Sequence, residues 1–376
     1  MIHNKTIVFL STMRYHELPT RKQRIARFLS ESNRVLYIEP PSTYLSTFVH
    51  GKNESCPTIT PLSSTLLLAS LPTIFPLGLR YQWIHALNQK KISQFVHQML
   101  LKYDLTPDIL WFYLVDYPEL SFQYPDALTV YDCVDDHSAY PGLRSPFFMN
   151  RLEKQLVASS DVVFATTKAL QQKMHSFGKD AKLVPNGVDY PLYQSWNQQI
   201  PAILQKLPRP IVGYIGALKE WFDVAFILRL ADALPHCSFV LAGPCSPSFA
   251  SSFSNHPRIL LPGAIQTEDV PSWIGSFDAC LIPFLQNNLT LHISPLKFFE
   301  YCAMGKPCIT IPIHQLEEYK DVVYTYHSHA EGIEKVKQAL QEKDPVLQKK
   351  RISIAKEASW EKKFSYMFDA IEQAYR

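Results

Sequence analysis

A lysine and a glutamate three positions apart, Lys297 and Glu300, have the spacing in this sequence that points most clearly to chemistry. They lie in a segment that begins with Ser294 and a proline and ends at Gly305. Serine favours a helix N-cap, proline suits the first turn and glycine follows helix ends, so the segment predicts a helix of about ten residues. Side chains at positions i and i+3 share a helix face, so the ammonium and the carboxylate point the same way.

The position of this predicted helix suggests a ligand. It follows a predicted strand at 279–283, and ligands of open parallel sheets bind beyond the carboxyl ends of the strands. The free N–H groups and positive dipole at a helix start suit a diphosphate, and a nearby carboxylate can accept hydrogen bonds from a ribose diol. An ordinary capped helix with a surface Lys–Glu pair fits the same pattern.

A second group of ionisable side chains follows a predicted strand at 128–131. Asp135, Asp136 and His137 are consecutive, and such neighbours can shift one another's pKa and orient an acceptor hydroxyl for acid–base catalysis. We therefore predict a catalytic cluster here. Capping of the next helix is an alternative, and metal ligation is a weaker one because no partner motif supports it. Asp116, which follows another predicted strand, fits an acceptor contact or a turn cap.

The N-terminal part of the chain is basic. Residues 1–34 contain seven lysines and arginines against two glutamates, and several of the cations fall on a predicted amphipathic helix at 21–31. A basic amphipathic helix near an uncharged apolar stretch predicts peripheral contact of Arg14, Arg21 and Arg24 with an anionic membrane. A solvated helix is the alternative, and Arg14 and Arg21 also suit an acceptor phosphate or carboxylate.

The uncharged stretch, residues 58–79, is long enough to span a bilayer. Three prolines and frequent serines and threonines interrupt it. A strand, a proline-rich connection and then a helix therefore fit it better than a spanning helix.

The composition excludes several classes of protein. The 376 residues include Lys+Arg 37 against Asp+Glu 34, a balance too even for a protein whose main partner is nucleic acid. Hydrophobic residues make up 47%, which excludes global disorder. Seven scattered cysteines without a CxxC pair indicate a reducing compartment rather than a disulfide scaffold or a structural zinc site. Because the chain opens without a signal-peptide pattern, we expect a cytoplasmic protein.

Short apolar runs alternate with amphipathic segments along the chain, which predicts α/β domains with parallel sheets covered by helices on both faces. A polar, proline-rich passage ending at residue 210 separates two such series. We predict two doubly wound Rossmann-like domains, over 1–195 and 208–355, with a last helix at 360–376 packing back on the first. The remaining strands are predicted at 7–10, 34–38, 109–114, 162–165, 183–184, 211–215, 238–242, 258–261, 308–311 and 322–325.

Several motifs resemble those of one enzyme family. The stretch SPLKFFEYCAMGKPCI at 294–309 resembles the nucleotide-sugar signature of glycosyltransferase family 4, whose members have the two-domain GT-B fold. LVPNGVD at 183–189 resembles the interdomain segment of that family, and IVGYIG at 211–216 resembles the start of its second domain. GALKEWFD at 216–223 and YDCVDDH at 131–137 are similar to a bacterial subgroup that builds cell-envelope polysaccharides of the teichuronic acid type.

The resemblance implies a function. It implies a retaining, metal-independent transfer of a sugar from a nucleotide diphosphate sugar to a glycan or lipid-linked acceptor, with no cofactor beyond the donor substrate. It also implies a cytoplasmic enzyme of envelope polysaccharide biosynthesis, and the basic N-terminal segment adds the expectation of peripheral contact with the inner face of the membrane. Within the site, the resemblance assigns the donor ribose to Glu300, and it places a sugar-contacting histidine near His137.

The sequence departs from the family pattern at two places. The family usually has a glutamate eight positions before Glu300, where this chain has His292, which can hydrogen-bond a sugar hydroxyl but supplies no fixed negative charge. Many members have an arginine at the position of Ala217 and a lysine several residues later. Leaving-group charge must be stabilised by something if no metal is bound. We assign that role to Lys297, the helix start at Ser294 and Lys219, although Lys219 fits a solvated surface lysine equally well.

Three glycines, Gly216, Gly243 and Gly263, follow predicted strands of the second domain. We expect them to let the backbone approach the nucleotide, although a turn glycine needs no ligand.

Two other functions stay open. An epimerase of nucleotide sugars shares this fold, although the 183–189 and 294–309 motifs argue against it. A catalytically silent nucleotide-sugar-binding protein would explain the two departures.

Overall fold

The computed structural model describes residues 2–16, 20–45, 59–139, 145–253, 256–286 and 296–375. The chain divides into two compact units. The first comprises Met1–Pro185 with Phe364–Arg376, and the second comprises Asn186–Lys363.

The first unit is built on a sheet whose central strands are almost fully buried, as expected where helices cover both faces. Its described strands are β1 (Thr6–Leu10), β2 (Arg34–Glu39), β3 (Ile59–Pro61), β4 (Leu66–Ser70), β5 (Ile109–Phe112), β6 (Leu128–Cys133), β7 (Val162–Ala165) and β8 (Lys182–Leu183). Their order is β3-β4-β2-β1-β5-β6-β7-β8, and every pair is parallel except β3 with β4.

The helices of the first unit follow its strands in alternation. They are α1 (Arg21–Ser30), α2 (Gln82–Lys102), α3 (Glu119–Gln123), α4 (Pro146–Ser159) and α5 (Lys168–Ser176), with a 3-10 turn at His137–Ala139. The region predicted as a strand, a connection and a helix does contain β4, an irregular segment and α2. None of the described helices is long and apolar enough to cross a membrane.

The second unit repeats the same alternation. Its described strands are β9 (Ile211–Ile215), β10 (Ser238–Ala242), β11 (Ile259–Gly263), β12 (Ala279–Ile282), β13 (Cys308–Thr310) and β14 (Val323–Thr325). They form a sheet in the order β11-β10-β9-β12-β13-β14, and every pair is parallel. The strands predicted from the sequence therefore lie where they were expected, with ends shifted by one or two residues.

The helices of the second unit continue the numbering. They are α6 (Tyr190–Gln194), α7 (Ala202–Gln205), α8 (Val224–Ala233), α9 (Pro247–Ser251), α10 (Val270–Ser276), α11 (Leu296–Ala303), α12 (His329–Gln341) and α13 (Pro345–Glu357), with 3-10 turns at Thr267–Asp269 and His314–Tyr319. The last helix, α14 (Trp360–Ala374), starts in the second unit and ends in the first. Within the first unit, its Phe364 and Phe368 rings lie 4.6 and 5.4 Å from the ring of Phe28 on α1.

A buried ion pair fixes α1 to the first sheet. The Arg21 guanidinium donates from Nε and Nη2 to the two carboxylate oxygens of Asp132 on β6, at 2.8 and 3.0 Å. Its Nη1 donates to Val184 O at 2.7 Å, and the Tyr113 hydroxyl donates to the same carboxylate. Arg21 is 3% exposed and Asp132 is 0% exposed, so both charges are satisfied inside the protein.

This arrangement corrects one prediction about the basic helix. Arg21 and Lys22 are both buried, whereas Arg24 is half-buried and Arg27 is exposed. Arg21 therefore takes no part in a membrane-facing or acceptor-facing surface. The sequence could not show this burial, because the partner of Arg21, Asp132, lies 111 residues away along the chain.

We predict that Arg21→Met lowers the free energy of unfolding by about 3–5 kcal/mol, because it leaves the Asp132 charge buried without its partner. The double variant Arg21→Met with Asp132→Leu should lose clearly less, since it removes both charges. Urea unfolding followed by circular dichroism measures both. Arg27→Met is the matched control and should stay within about 0.5 kcal/mol of the parent. A double variant as unstable as the single one would contradict the prediction.

Candidate functional site

Three glycines stand where three neighbouring strands of the second unit end. Gly216 and Gly243 follow β9 and β10, Gly263 closes β11, and their φ angles are 150°, 151° and 82°. The N–H of Gly216 donates to Ala242 O, and that of Gly243 to Gly263 O, both at 2.8 Å. Because other residues would be strained at these angles, this edge of the sheet presents backbone without side chains.

Helix α11 has a buried face and a partly exposed face. The predicted pair, Lys297 and Glu300, lies on the partly exposed face. The Tyr301 hydroxyl donates to Leu281 O at 3.2 Å and accepts from Ile215 N–H at 3.3 Å, which attaches the helix to β12 and β9. The buried face is made by Phe298, Phe299, Tyr301, Cys302 and Ala303.

The Lys297 side chain lies directly over Gly216. A Cβ atom built on Gly216 would overlap Cε and Nζ of Lys297, and Nζ lies 5.7 Å from the centroid of the Tyr214 ring. Burial lowers the pKa of the Lys297 ammonium, and the nearby Glu300 carboxylate opposes that shift. Neither Lys297 nor Glu300 forms a hydrogen bond or ion pair with another residue that the structure describes. A sheltered cation without an ion-pair partner is suited to an anionic ligand.

Two predicted donor-binding residues, His292 and Ser294, lie outside the described residues. The predicted N-cap at Ser294 therefore stays a prediction. The described part of the helix ends at Ala303, and Gly305 follows with a φ of 66°, in agreement with the predicted stop.

The loop 216–223 is held between two neighbouring loops. Leu218 pairs with Cys245 beyond β10, and Phe222 pairs with Phe284 beyond β12. Lys219 lies on the outside of this loop, exposed, with its Nζ 5.5 Å from the centroid of the Trp221 ring. This position matches the solvated alternative that the sequence left open for Lys219.

In the first unit, Asp136 belongs to a network of hydrogen bonds and ion pairs. It accepts from the N–H and hydroxyl of Ser138 at 3.0 and 2.7 Å, and from Lys173 Nζ at 2.7 Å. Lys173 also contacts the buried Glu153 at 2.6 Å. Burial would raise the pKa of Asp136, but the bonds from Lys173 and Ser138 outweigh it and lower the pKa. Asp136 thus caps the 3-10 turn, which was the structural alternative for this cluster.

The other two members of the cluster lie beside a lysine that the sequence analysis missed. Asp135 is exposed and His137 is buried. Burial lowers the pKa of His137, partly opposed by Glu153 and Asp135, so its imidazole is neutral at pH 7. Burial also lowers the pKa of Lys22, and the charges of Asp135 and Asp132 oppose that shift.

Lys22 is 7% exposed, and its Nζ lies 5.5 Å from the centroid of the Tyr113 ring. It forms no hydrogen bond or ion pair with the other described residues. The sequence analysis counted Lys22 only as part of a basic stretch. Its position at the start of α1, just after the loop that follows β1, was the available signal, because that loop lies at the carboxyl edge of the sheet.

Asp116 lies beyond β5 and is followed by Tyr117, against which a histidine that the sequence analysis also missed is stacked. Burial raises the pKa of the Asp116 carboxyl to about 6. His85 on α2 stacks on Tyr117 with ring centroids 6.3 Å apart, and burial lowers its pKa to about 4. Its Nε2 has no hydrogen-bond partner among the described residues.

The two remaining arginines of the prediction have different environments. Arg14 donates from Nη2 to the Ser42 hydroxyl at 3.0 Å. Arg24 is half-buried on α1. Neither the Arg14 contact nor the burial of Arg24 assigns a ligand, so the role of these two arginines toward an acceptor or a membrane stays a prediction.

We predict that Asp116→Asn stabilises the protein at pH 8 and does so much less at pH 4.5. Folding raises the pKa of this carboxyl from 3.8 to about 6. Its contribution to the free energy of unfolding is therefore most favourable below pH 3.8, where the carboxyl is protonated in both the folded and the unfolded state. That stability is lost as the pH rises through the folded value, by at most about 3 kcal/mol. Thermal unfolding at both pH values measures the effect. Equal effects at the two pH values, or destabilisation at pH 8, would contradict it.

Residues 209–342, within the second unit, match the family model described as glycosyl transferases group 1. A relative from Bacillus subtilis (strain 168), the glycosyltransferase TuaH named for teichuronic acid biosynthesis, is 26% identical over 234 residues. That match covers 58% of this chain and 59% of the relative, so the similarity spans little more than half of each protein.

Solved structures cover nearly the whole chain. Sucrose-phosphate synthase from Thermosynechococcus elongatus superposes with a TM-score of 0.73 at 12% identity, over 99% of both chains. Anabaena HepE, solved in complex with UDP and glucose, has a TM-score of 0.68 at 15% identity, over 98% of this chain and 100% of the other. The predicted α/β fold of two Rossmann-like units is confirmed.

Proposed function

We propose that this chain, which has the GT-B fold, is a group 1 glycosyltransferase and transfers a sugar from a nucleotide diphosphate sugar to a glycan or lipid-linked acceptor. The observation that carries the proposal is the pair Lys297 and Glu300, which share one face of α11 beside the bare backbone at Gly216. The Lys297 ammonium suits the diphosphate, and the Glu300 carboxylate suits the hydroxyls of the ribose.

The charge of the leaving diphosphate is the main electrostatic demand of such a transfer. Position 217 is alanine here, and Lys219 is exposed. Among the described residues of the second unit, we therefore assign to Lys297 the stabilisation of the charge on the leaving diphosphate. Transfer should need no metal ion, so chelation should leave the rate unchanged.

Acceptor binding is proposed in the first unit. Lys22, Asp135 and His137 combine a sheltered cation, an exposed carboxylate and a neutral imidazole near the carboxyl ends of β1, β5 and β6. A neutral imidazole can accept a proton from a sugar hydroxyl, and a cation can bind an anionic group of the acceptor. Asp116 remains a second acceptor-contact candidate.

The pathway and the stereochemistry form the finer part of the proposal. The relative named for teichuronic acid biosynthesis supports a role in envelope polysaccharide biosynthesis. Retention of the anomeric configuration rests on the family resemblance and is tested by NMR of the product. Peripheral contact with an anionic membrane at the inner face fits a lipid-linked acceptor.

A screen of donors comes first, because the nucleotide and the sugar are not known. Ligand binding to the native state raises the apparent melting temperature by mass action. A thermal-shift series across UDP-, GDP- and ADP-sugars should single out one nucleotide, which the kinetic tests below then use.

We predict that Glu300→Gln raises the donor Kd roughly 10–100-fold, because hydrogen bonds to a charged group contribute about 1.5–3 kcal/mol. Lys297→Met should lower kcat about 10²–10³-fold by removing charge stabilisation at the diphosphate. Calorimetry with the selected donor and release of the nucleoside diphosphate measure the two effects.

Glu334 and Lys337 on α12 supply the matched control. They form an exposed ion pair at 2.7 Å with the same i, i+3 spacing, so Glu334→Gln and Lys337→Met should change neither value. Unchanged donor binding in the Glu300→Gln variant would refute the donor site. Donor binding without turnover by the parent protein would support the silent binding protein, and a changed sugar without acceptor would support the epimerase.

Lys22→Met tests the acceptor side. It should raise the KM for an anionic acceptor about tenfold or more and leave the donor Kd unchanged, because a hydrogen bond between charged groups at a sheltered site contributes about 1.5–3 kcal/mol. Steady-state kinetics with varied acceptor provides the measurement. An effect on donor binding alone would contradict the assignment.

A further inference from the structure

The first unit exposes a group of large apolar side chains beside the start of α2. We refer to it as the aromatic surface, which consists of Tyr44, Phe75, Leu77, Tyr81, Trp83 and Leu87. Trp83 is 66% exposed, Leu77 53% and Leu87 48%. Soluble proteins rarely expose several large apolar side chains together unless the surface binds something.

The 75–81 segment and the start of α2 bring these side chains to one region of the first unit. Trp83 and Leu87 are one turn apart on the exposed face of α2, while His85, Asn88 and Ile92 form its buried face. The Asn88 side chain bonds both the N–H and the carbonyl of Phe75 at 2.9 Å, which fixes the 75–81 segment against α2. The Phe75 and Tyr44 rings lie 5.6 Å apart.

Cations surround the aromatic surface. Arg80 lies 5.2 Å from the Tyr81 ring, and Lys91 lies 5.0 Å from the Tyr44 ring and 6.0 Å from the Phe75 ring. Lys90 is exposed on the same face of α2 as Trp83 and Leu87. Residues 59–103 contain four lysines and arginines and no aspartate or glutamate.

We propose that the aromatic surface and its cations dock the first unit onto an anionic phospholipid bilayer. Tryptophan and tyrosine favour the interface between headgroups and acyl chains, and lysine and arginine bind anionic headgroups. A carboxylate-free sequence of this length complements a negatively charged surface. The inference rests on the proposed function in one respect, because the bilayer is where the enzyme would meet a lipid-linked acceptor.

This surface differs from the one expected from the sequence. The basic helix α1 buries Arg21 and Lys22, so it retains only part of its positive charge for a membrane. The aromatic surface combines exposed rings with the cations Arg80, Lys90 and Lys91, whereas the exposed part of α1 has no such rings.

Vesicle sedimentation tests the proposal without donor or acceptor, so its outcome is independent of whether the transfer reaction is as proposed. The full chain should bind vesicles of phosphatidylcholine with about a quarter phosphatidylglycerol far better than phosphatidylcholine alone, and added salt should weaken binding. Trp83→Ser with Leu87→Ser should lower partitioning about tenfold or more. Arg80→Gln with Lys90→Gln should lower it about 25-fold on anionic vesicles only, at about fivefold per cation.

Val346→Ser and Lys349→Gln are the controls, since both residues are exposed on α13 of the second unit. They should leave partitioning unchanged, and all variants should keep the parent melting temperature. Equal binding to both kinds of vesicle, or unchanged binding by the Trp83→Ser, Leu87→Ser variant, would overturn the proposal. A parent dimer that becomes monomeric in that variant, without a change in vesicle binding, would assign the surface to self-association and would also overturn it.

Discussion

The packing of the Lys297 side chain over the Cα atom of Gly216 is the contact on which the proposed donor site depends. It shelters an ammonium group from water and leaves it without an ion-pair partner among the described residues. Burial lowers its pKa, so binding of a negatively charged group restores a favourable environment for the charge. Tyr301 holds α11 in the position in which this contact forms, because its hydroxyl is hydrogen-bonded to the backbone of two strands of the sheet.

The fold was predictable because its signals are local. Apolar runs such as 211–215 and 238–242 alternate with amphipathic helices, and only a parallel sheet covered on both faces buries them all. The shared face of Lys297 and Glu300 followed from helix geometry alone. The start of that helix stays a prediction, since Ser294 lies outside the described residues.

The contacts that the sequence could not supply join distant segments. Arg21 looked like a surface cation because the partner that buries it, Asp132, comes 111 residues later. Asp136 looked catalytic, but Lys173, from a later helix, makes it part of an ion-pair network. Lys22 and His85 were missed for the same reason, since their environments are assembled by β5, β6 and the segments that follow these strands. Spacing along a chain predicts neighbours within a helix and says little about charges that meet through tertiary structure.

The contact at Gly216 also restricts how the protein can diverge. Even alanine at this position would collide with the lysine and would hold an unfavourable backbone angle, since φ is 150° there. The backbone angle by itself disfavours any substitution of Gly216, and a side chain there would also displace the ammonium of Lys297. The glycine must therefore be kept wherever the ammonium keeps its place over this backbone.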